Sequence, residues 1–185
     1  MVRGVETTWI ALLRAINVGG RNRVPMAALR DAYREAGCIT VTTYIQSGNV
    51  VLTAAESDPS LLGPVLEEAV QRSCGVESRV VLRTAVEWAA VTLCNPFADL
   101  DPAHLAVTFL SAVPDPERVR DIEGRDIAPD RVRVIGRDLY WYLPGGFTAS
   151  RLRAAVAERL LGPGTARNLK TVARITELVT AVEAR

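Results

Sequence analysis

Apolar residues run almost without interruption from Trp9 to Ile16, broken only by Arg14, which is the pattern of a central strand buried on both faces. After Pro25, the residues Met26, Leu29, Ala32, Tyr33 and Ala36 recur at helical spacing as far as Gly37, so a helix opened by Pro25 is predicted there. Ile39 to Gln46 alternates in the two-residue period of a half-exposed strand, Ser47-Gly48-Asn49 turns the chain, and Val50 to Thr53 returns antiparallel. Asp58 and Pro59 open a second helix with Leu61, Leu62, Val65, Leu66, Ala69 and Val70 on its apolar face, and Ser78 to Arg83 reads as a β-branched strand. The order strand, helix, strand, strand, helix, strand is the split βαβ, or ferredoxin-like, arrangement.

A helix from Ala85 to Cys94 follows and is broken by Asn95-Pro96-Phe97. From Leu105 a related order begins again: strand Leu105 to Leu110, helix Asp115 to Ile122, strand Val132 to Ile135, hairpin Gly136-Arg137-Asp138, strand Leu139 to Leu143, helix Thr148 to Leu161. The repeat is one of element order, without sequence identity between the halves. Asn168 is placed to cap a last helix with the stripe Val172, Ile175, Leu178, Val179, Val182. The predicted fold class is therefore α+β: two ferredoxin-like halves with antiparallel sheets and an extra C-terminal helix. The expected division is residues 1–83, a linking helix and loop over 84–104, and a second half over 105–185.

Four segments carry a family resemblance. They are A-L-L-R-A-I-N-V-G-G-R-N-R-V-P-M-A-A-L-R from Ala11, T-Y-I-Q-S-G-N-V-V-L from Thr43, N-P-F at Asn95 to Phe97 and A-R-N-L-K-T-V from Ala166. Together they resemble the bacterial domain-of-unknown-function family numbered 1697. The resemblance implies an α+β protein with ferredoxin-like halves and brings no activity, cofactor or partner with it. Two positions depart from the family's habit: Ala15 stands where glycine is usual, and Leu169 where tryptophan is usual. The second departure weakens the idea of a late aromatic stacking on a ligand.

Composition narrows the function. A chain of 185 residues, 49% hydrophobic and 23% charged, has the make-up of a folded globular protein. Its net charge of +1 lacks the basic excess of a dedicated nucleic-acid binder, and since Lys170 is the one lysine among 22 basic residues, the arginine count reads as coding bias. Met1 to Glu6 has no apolar leader core and no run approaches a membrane span, so a cytoplasmic protein is expected. Cys38, Cys74 and Cys94 are scattered and odd in number, which suggests small core residues and neither a disulfide framework nor a zinc site. No metal or other cofactor is implied, and the oligomeric state is not legible.

The candidate chemistry lies after the first strand. Asn17-Val18-Gly19-Gly20-Arg21-Asn22-Arg23 has the parts of an anion cradle: adjacent glycines that let backbone N–H groups approach a ligand, two guanidiniums, and the positive end of the following helix. It matches neither the Walker nor the dinucleotide glycine spacing, and a tight turn needing positive φ explains the glycines equally well. Gln46, Ser47 and Asn49 of the hairpin add polar groups if the sheet brings that turn alongside, and Arg14 is expected to reach the same loop from the strand.

Elsewhere, His104 with Asp99 and Asp101 has no established ligand spacing, and a solvated loop explains it. Tyr140 and Tyr142 could stack on bases from an exposed sheet, but the RNA-recognition signature is absent and burial of one face explains the aromatics. Three readings stand: a small-anion or nucleotide binder at the loop; an enzyme on an anionic substrate there, with Ser47 or His104 moving protons; and a nucleic-acid-associated protein using Arg14, Arg21, Arg23, Arg167 and Lys170 as one basic face.

Overall fold

In a computed structural model, which describes residues 6–184, β1 (Thr7–Leu13) lies between two antiparallel neighbours, β3 (Asn49–Ala54) and β4 (Val80–Thr84). With β2 (Val41–Tyr44) outside β3 the order is β2-β3-β1-β4, the ferredoxin-like sheet. Trp9, Ala11 and Leu13 pack with Leu29 and Tyr33 of α1 (Met26–Glu35) and with Leu66 and Val70 of α2 (Pro59–Cys74). Ile10 and Leu12, on the opposite face, are equally buried, which is why the strand carries no polar alternation. Truncating a fully buried core leucine such as Leu66 to alanine costs about 2–5 kcal/mol.

The second half repeats the plan. β5 (Leu105–Leu110) is flanked by β7 (Asp138–Tyr142) and β8 (Gly164–Asn168), with β6 (Arg131–Ile135) outermost, giving β6-β7-β5-β8. Ala106, Leu110, Ile122, Leu139, Trp141 and Leu161 form its core, with Ile122 from α4 (Pro116–Glu123) and Leu161 from α6 (Ala154–Leu161). Between the sheets in sequence runs α3 (Ala85–Leu93), and the described chain ends in α7 (Leu169–Glu183). The protein is thus α+β with two four-stranded antiparallel sheets, each a split βαβ half.

By contacts the chain forms two compact units, one reaching Ala89 and taking in the stretch from Arg174 on, the other Ala90–Ala173. Within the first, Trp88 Nε1 donates to Thr176 Oγ1 at 3.1 Å, tying α3 to α7. No helix among the described residues is long and apolar enough to cross a membrane. The stretch Met1 to Val5, read above for a leader, lies outside the described residues.

Several expectations need correcting. β1 ends at Leu13, so Arg14 follows the strand instead of sitting within it. Pro25 caps α1 from outside, with extended backbone, and is not its first helical residue. Ile39 and Ile45 fall outside β2 and are exposed, as are Leu61 and Val65 on α2, whose buried stripe is narrower than predicted. The predicted helix Thr148 to Leu161 is two pieces, α5 (Gly146–Ala149) and α6. Ser150 Oγ accepts the Leu152 N–H at 3.2 Å and donates to the Leu152 carbonyl at 3.1 Å, a local ring that competes with the helical ladder. β8 was not predicted at all.

Both halves protect a sheet edge in the same way. Glu67 of α2 accepts the Val80 N–H on β4 at 2.9 Å and pairs with Arg79 at 3.0 Å; Glu123 of α4 accepts the Val134 N–H on β6 at 2.7 Å and pairs with Arg133 at 2.9 Å. A carboxylate on an outward N–H removes a rung that another strand would need.

Candidate functional site

The polar loop after β1 is a miniature hairpin. The Asn17 N–H donates to the Asn22 carbonyl and the Arg21 N–H to the Val18 carbonyl, both at 3.0 Å, with Gly19 (φ 56°) and Gly20 (φ 77°) as the two central residues. Positive φ at both central positions is the two-residue connection that suits strand twist, so turn geometry accounts for the glycines. Their amides take no part in the loop's internal bonds.

Asn17 holds this loop to the β2–β3 hairpin. Its Nδ2 donates to the Gln46 carbonyl at 2.8 Å and to the Val24 carbonyl at 3.0 Å, while its Oδ1 accepts the Val24 N–H at 2.9 Å. Asn22 Nδ2 donates to the Ala15 carbonyl at 2.9 Å. Asn49 is 1% exposed and donates to the Tyr44 carbonyl at 3.2 Å. These three asparagines, read from sequence as ligand contacts, spend amide donors on the scaffold. Gly48 is sterically required: a Cβ there would lie 2.6 Å from Leu13 Cβ and 2.8 Å from Ile16 Cδ1.

What remains open is a concavity of about 430 Å³ lined by Asn17, Gly20, Arg21, Arg23, Val24, Pro25 and Gln46. Loop, hairpin and helix start therefore meet, and Arg14, Gly19, Asn22, Ser47 and Asn49 do not line the cavity. Arg14 instead continues the β1 ladder, its N–H on the Arg79 carbonyl at 3.0 Å and its carbonyl accepting from Ser78 Oγ at 2.8 Å. No acidic residue lines the concavity, and among the described residues no carboxylate pairs with Arg21 or Arg23. Proline offers no side-chain acceptor, so the first-turn amides of α1 have no side-chain cap, and no acid occupies that turn.

Strain collects here too. Among the described residues the non-glycine positions at positive φ are Ala15 (56°), Asn17 (54°), Asn22 (50°) and Ile45 (47°), all in the loop or the hairpin. Asparagine tolerates that region; alanine costs about 1–2 kcal/mol there, and a β-branched isoleucine is a genuine outlier.

Ser47 belongs to the first unit, and His104, Arg167 and Lys170 belong to the second. Arg167 donates to Thr165 Oγ1 at 2.6 Å and to the Ala166 carbonyl at 2.8 Å, and burial pulls its guanidinium down to about 10. His104 lies 3.7 Å from Asp101 and edge-on to Tyr142, and among the described residues no group of three metal-ligating side chains assembles. Tyr140 and Trp141 are both buried, Tyr140 donating to the Val91 carbonyl at 3.1 Å and Trp141 to Thr108 Oγ1 at 2.9 Å. That leaves Tyr142 as the one partly exposed aromatic on β7. A larger concavity of about 510 Å³ beside α2 is lined by Glu67, Glu68, Glu77 and Arg79, but Glu67 and Arg79 are already engaged with each other.

Fold and loop together define a class: an α+β protein of two ferredoxin-like halves with a polar, arginine-bearing loop after its first central strand. The chain belongs to the family described as protein of unknown function DUF1697, whose model matches residues 7–140. The A-R-N-L-K-T-V segment lies beyond that match. Among solved structures it resembles the conserved bacterial protein SP0830 from Streptococcus pneumoniae, at 22% identity and a TM-score of 0.71 over 95% of this chain and 99% of that one. This likeness is one of fold. No curated protein matches the chain.

Proposed function

We propose that this is a cytoplasmic protein that binds a small anion, a nucleotide or other phosphate-bearing metabolite, in the concavity between the Asn17 to Arg23 loop and the Gln46 turn. The observation that carries the reading is the unbalanced positive charge: two guanidiniums without carboxylate partners beside an uncapped helix start, on a surface lined by no acid. The backbone strain at Ala15 and Ile45 supports it, since strained residues cluster where structure is held for function. The glycines contribute turn geometry, so Arg21, Arg23 and the α1 amides are the ligand-facing groups, with Gln46 at the rim. Neither Ser47 nor His104 lines the concavity.

A thermal-shift screen over inorganic phosphate, nucleotides, sugar phosphates and short oligonucleotides tests this. A ligand at about 100 times its Kd should add roughly 2.7 kcal/mol of stability. Replacing Arg21 and Arg23 by glutamate should abolish the shift while moving unliganded stability by no more than about 0.5 kcal/mol, as exposed substitutions do. A steep dependence of affinity on salt would transfer the site to nucleic acid, because only a polyanion releases many counterions. A double variant that binds as well as the parent would sink the proposal.

A further inference from the structure

A second groove, in the Ala90–Ala173 unit, has a volume of about 680 Å³ and is lined by the Arg125 to Arg133 segment with Phe97, Glu123, Tyr142 and Pro144. Its charges fall into two groups. Arg133 is paired with Glu123 at 2.9 Å, Arg125 with Asp121 at 3.2 Å, and Asp126 accepts the Ala128 N–H of its own turn at 3.4 Å. Asp130 is different: it is only 8% exposed, and among the described residues its carboxylate accepts no hydrogen bond and meets no cation. Its backbone N–H closes the turn onto the Ile127 carbonyl at 3.0 Å, which fixes the residue in place.

Asp130 is largely buried as a residue while its carboxylate oxygens still reach solvent, and a charge with so little water around it is stabilised by a cation. Arg125 and Arg133 are held by other carboxylates, and Arg131, which also lines the groove, makes no ion pair with Asp130 among the described residues. Phe97, Ile127 and Pro144 supply the apolar part of a groove whose other walls carry charged side chains. We propose that this groove is a binding site for an organic monocation, an alkylammonium or guanidinium head on an apolar stem, with Asp130 pairing the head and the stem lying against Phe97 and Ile127. An aromatic ring in the same groove, Tyr142, adds a surface that cations favour. Glu123 is held by Arg133 and the β6 edge N–H, so Asp130 is the anchoring carboxylate. This inference is independent of the anion site and uses none of its residues.

The test uses the full chain with hexylamine and agmatine as probes and hexanol as the uncharged control, followed by amide chemical-shift mapping. Both amines should perturb the Ile127 to Val132 amides saturably, and hexanol should not. Asp130→Asn should weaken amine binding at least tenfold, and Glu117→Gln, outside the groove, should leave it unchanged. Asp130→Ser gives the same reading if the asparagine variant does not fold. Blocked pentapeptides carrying one lysine or one arginine distinguish the source: tighter binding by a peptide assigns the groove to a protein segment, tighter binding by the free amine to a metabolite, and either sustains the site. Equal binding of hexanol, unchanged affinity in the Asp130 variants, or perturbed amides elsewhere would overturn it.

Discussion

Asn17 Nδ2 donates to the Gln46 carbonyl across 29 positions of sequence, and this single amide joins the loop after β1 to the β2–β3 turn. The same group also holds Val24 through two further bonds. Asn17→Ala removes all three and places alanine at a φ of 54°, so a loss of about 1–3 kcal/mol is expected in urea unfolding. Asn22→Ala, which removes one side-chain bond, should cost less. Equal costs would mean that the junction is held by something other than Asn17.

Ala15→Gly should stabilise the protein. Ala15 is exposed at a φ of 56°, so its methyl adds little packing while holding the residue in the left-handed region at a cost of about 1–2 kcal/mol. Glycine returns about 0.5–1 kcal/mol of that as greater unfolded-chain entropy, leaving a net gain of about 0.5–1 kcal/mol. Thermal unfolding reads it directly, and a lowered midpoint would refute the strain argument.

The contrast between β1 and β8 explains how far the sequence could be read. β1 is buried on both faces and written in apolar residues, whereas β8 is an edge strand, Gly-Thr-Ala-Arg-Asn, with one buried side chain and no period to detect. Its place in the fold comes from pairing with β5, a tertiary fact. The loop's glycines and arginines were legible as a candidate site, and so was the helix start. The roles of the asparagines were not, because the same amide that could face a ligand is used by carbonyls that only the folded chain brings near. Likewise Tyr140 and Tyr142 share a strand face by parity, yet one is buried and the other half-exposed.

Stability should fall as pH rises from about 9 toward about 11. Burial pushes the Cys38 thiol up to about 11, so over that window the unfolded thiol ionises while the folded one stays protonated. A raised folded pKa gives stability that is present below the unfolded value and lost as pH climbs. Burial also raises Tyr33, which acts in the same direction. Cys38→Ala should therefore shallow the alkaline decline without abolishing it, measured by urea midpoints across that range. An identical slope in the variant would remove Cys38 from the account.

Gly48 and Gly20 separate packing from backbone conformation, because both lie at positive φ, 69° and 77°, but in different surroundings. Around Gly20 a Cβ meets nothing within 4 Å, so Gly20→Ala should cost only the left-handed penalty of about 1–2 kcal/mol. At Gly48 the same methyl would sit 2.6 Å from Leu13 Cβ, and the Leu13 N–H donates to the Gly48 carbonyl at 2.8 Å, so the turn cannot retreat without losing that bond. Overpacking of that kind adds about 1–3 kcal/mol, and Gly48→Ala should be the costlier change by about that margin. Its consequences should also reach the candidate site, since the Gln46 carbonyl that Asn17 uses belongs to the displaced turn. Chemical unfolding of the two variants measures the difference, and amide exchange at Val24, whose N–H is held by Asn17, should quicken in Gly48→Ala and not in Gly20→Ala. Equal costs, with Val24 equally protected in both, would mean that the hairpin docks on β1 loosely and that the loop does not depend on it.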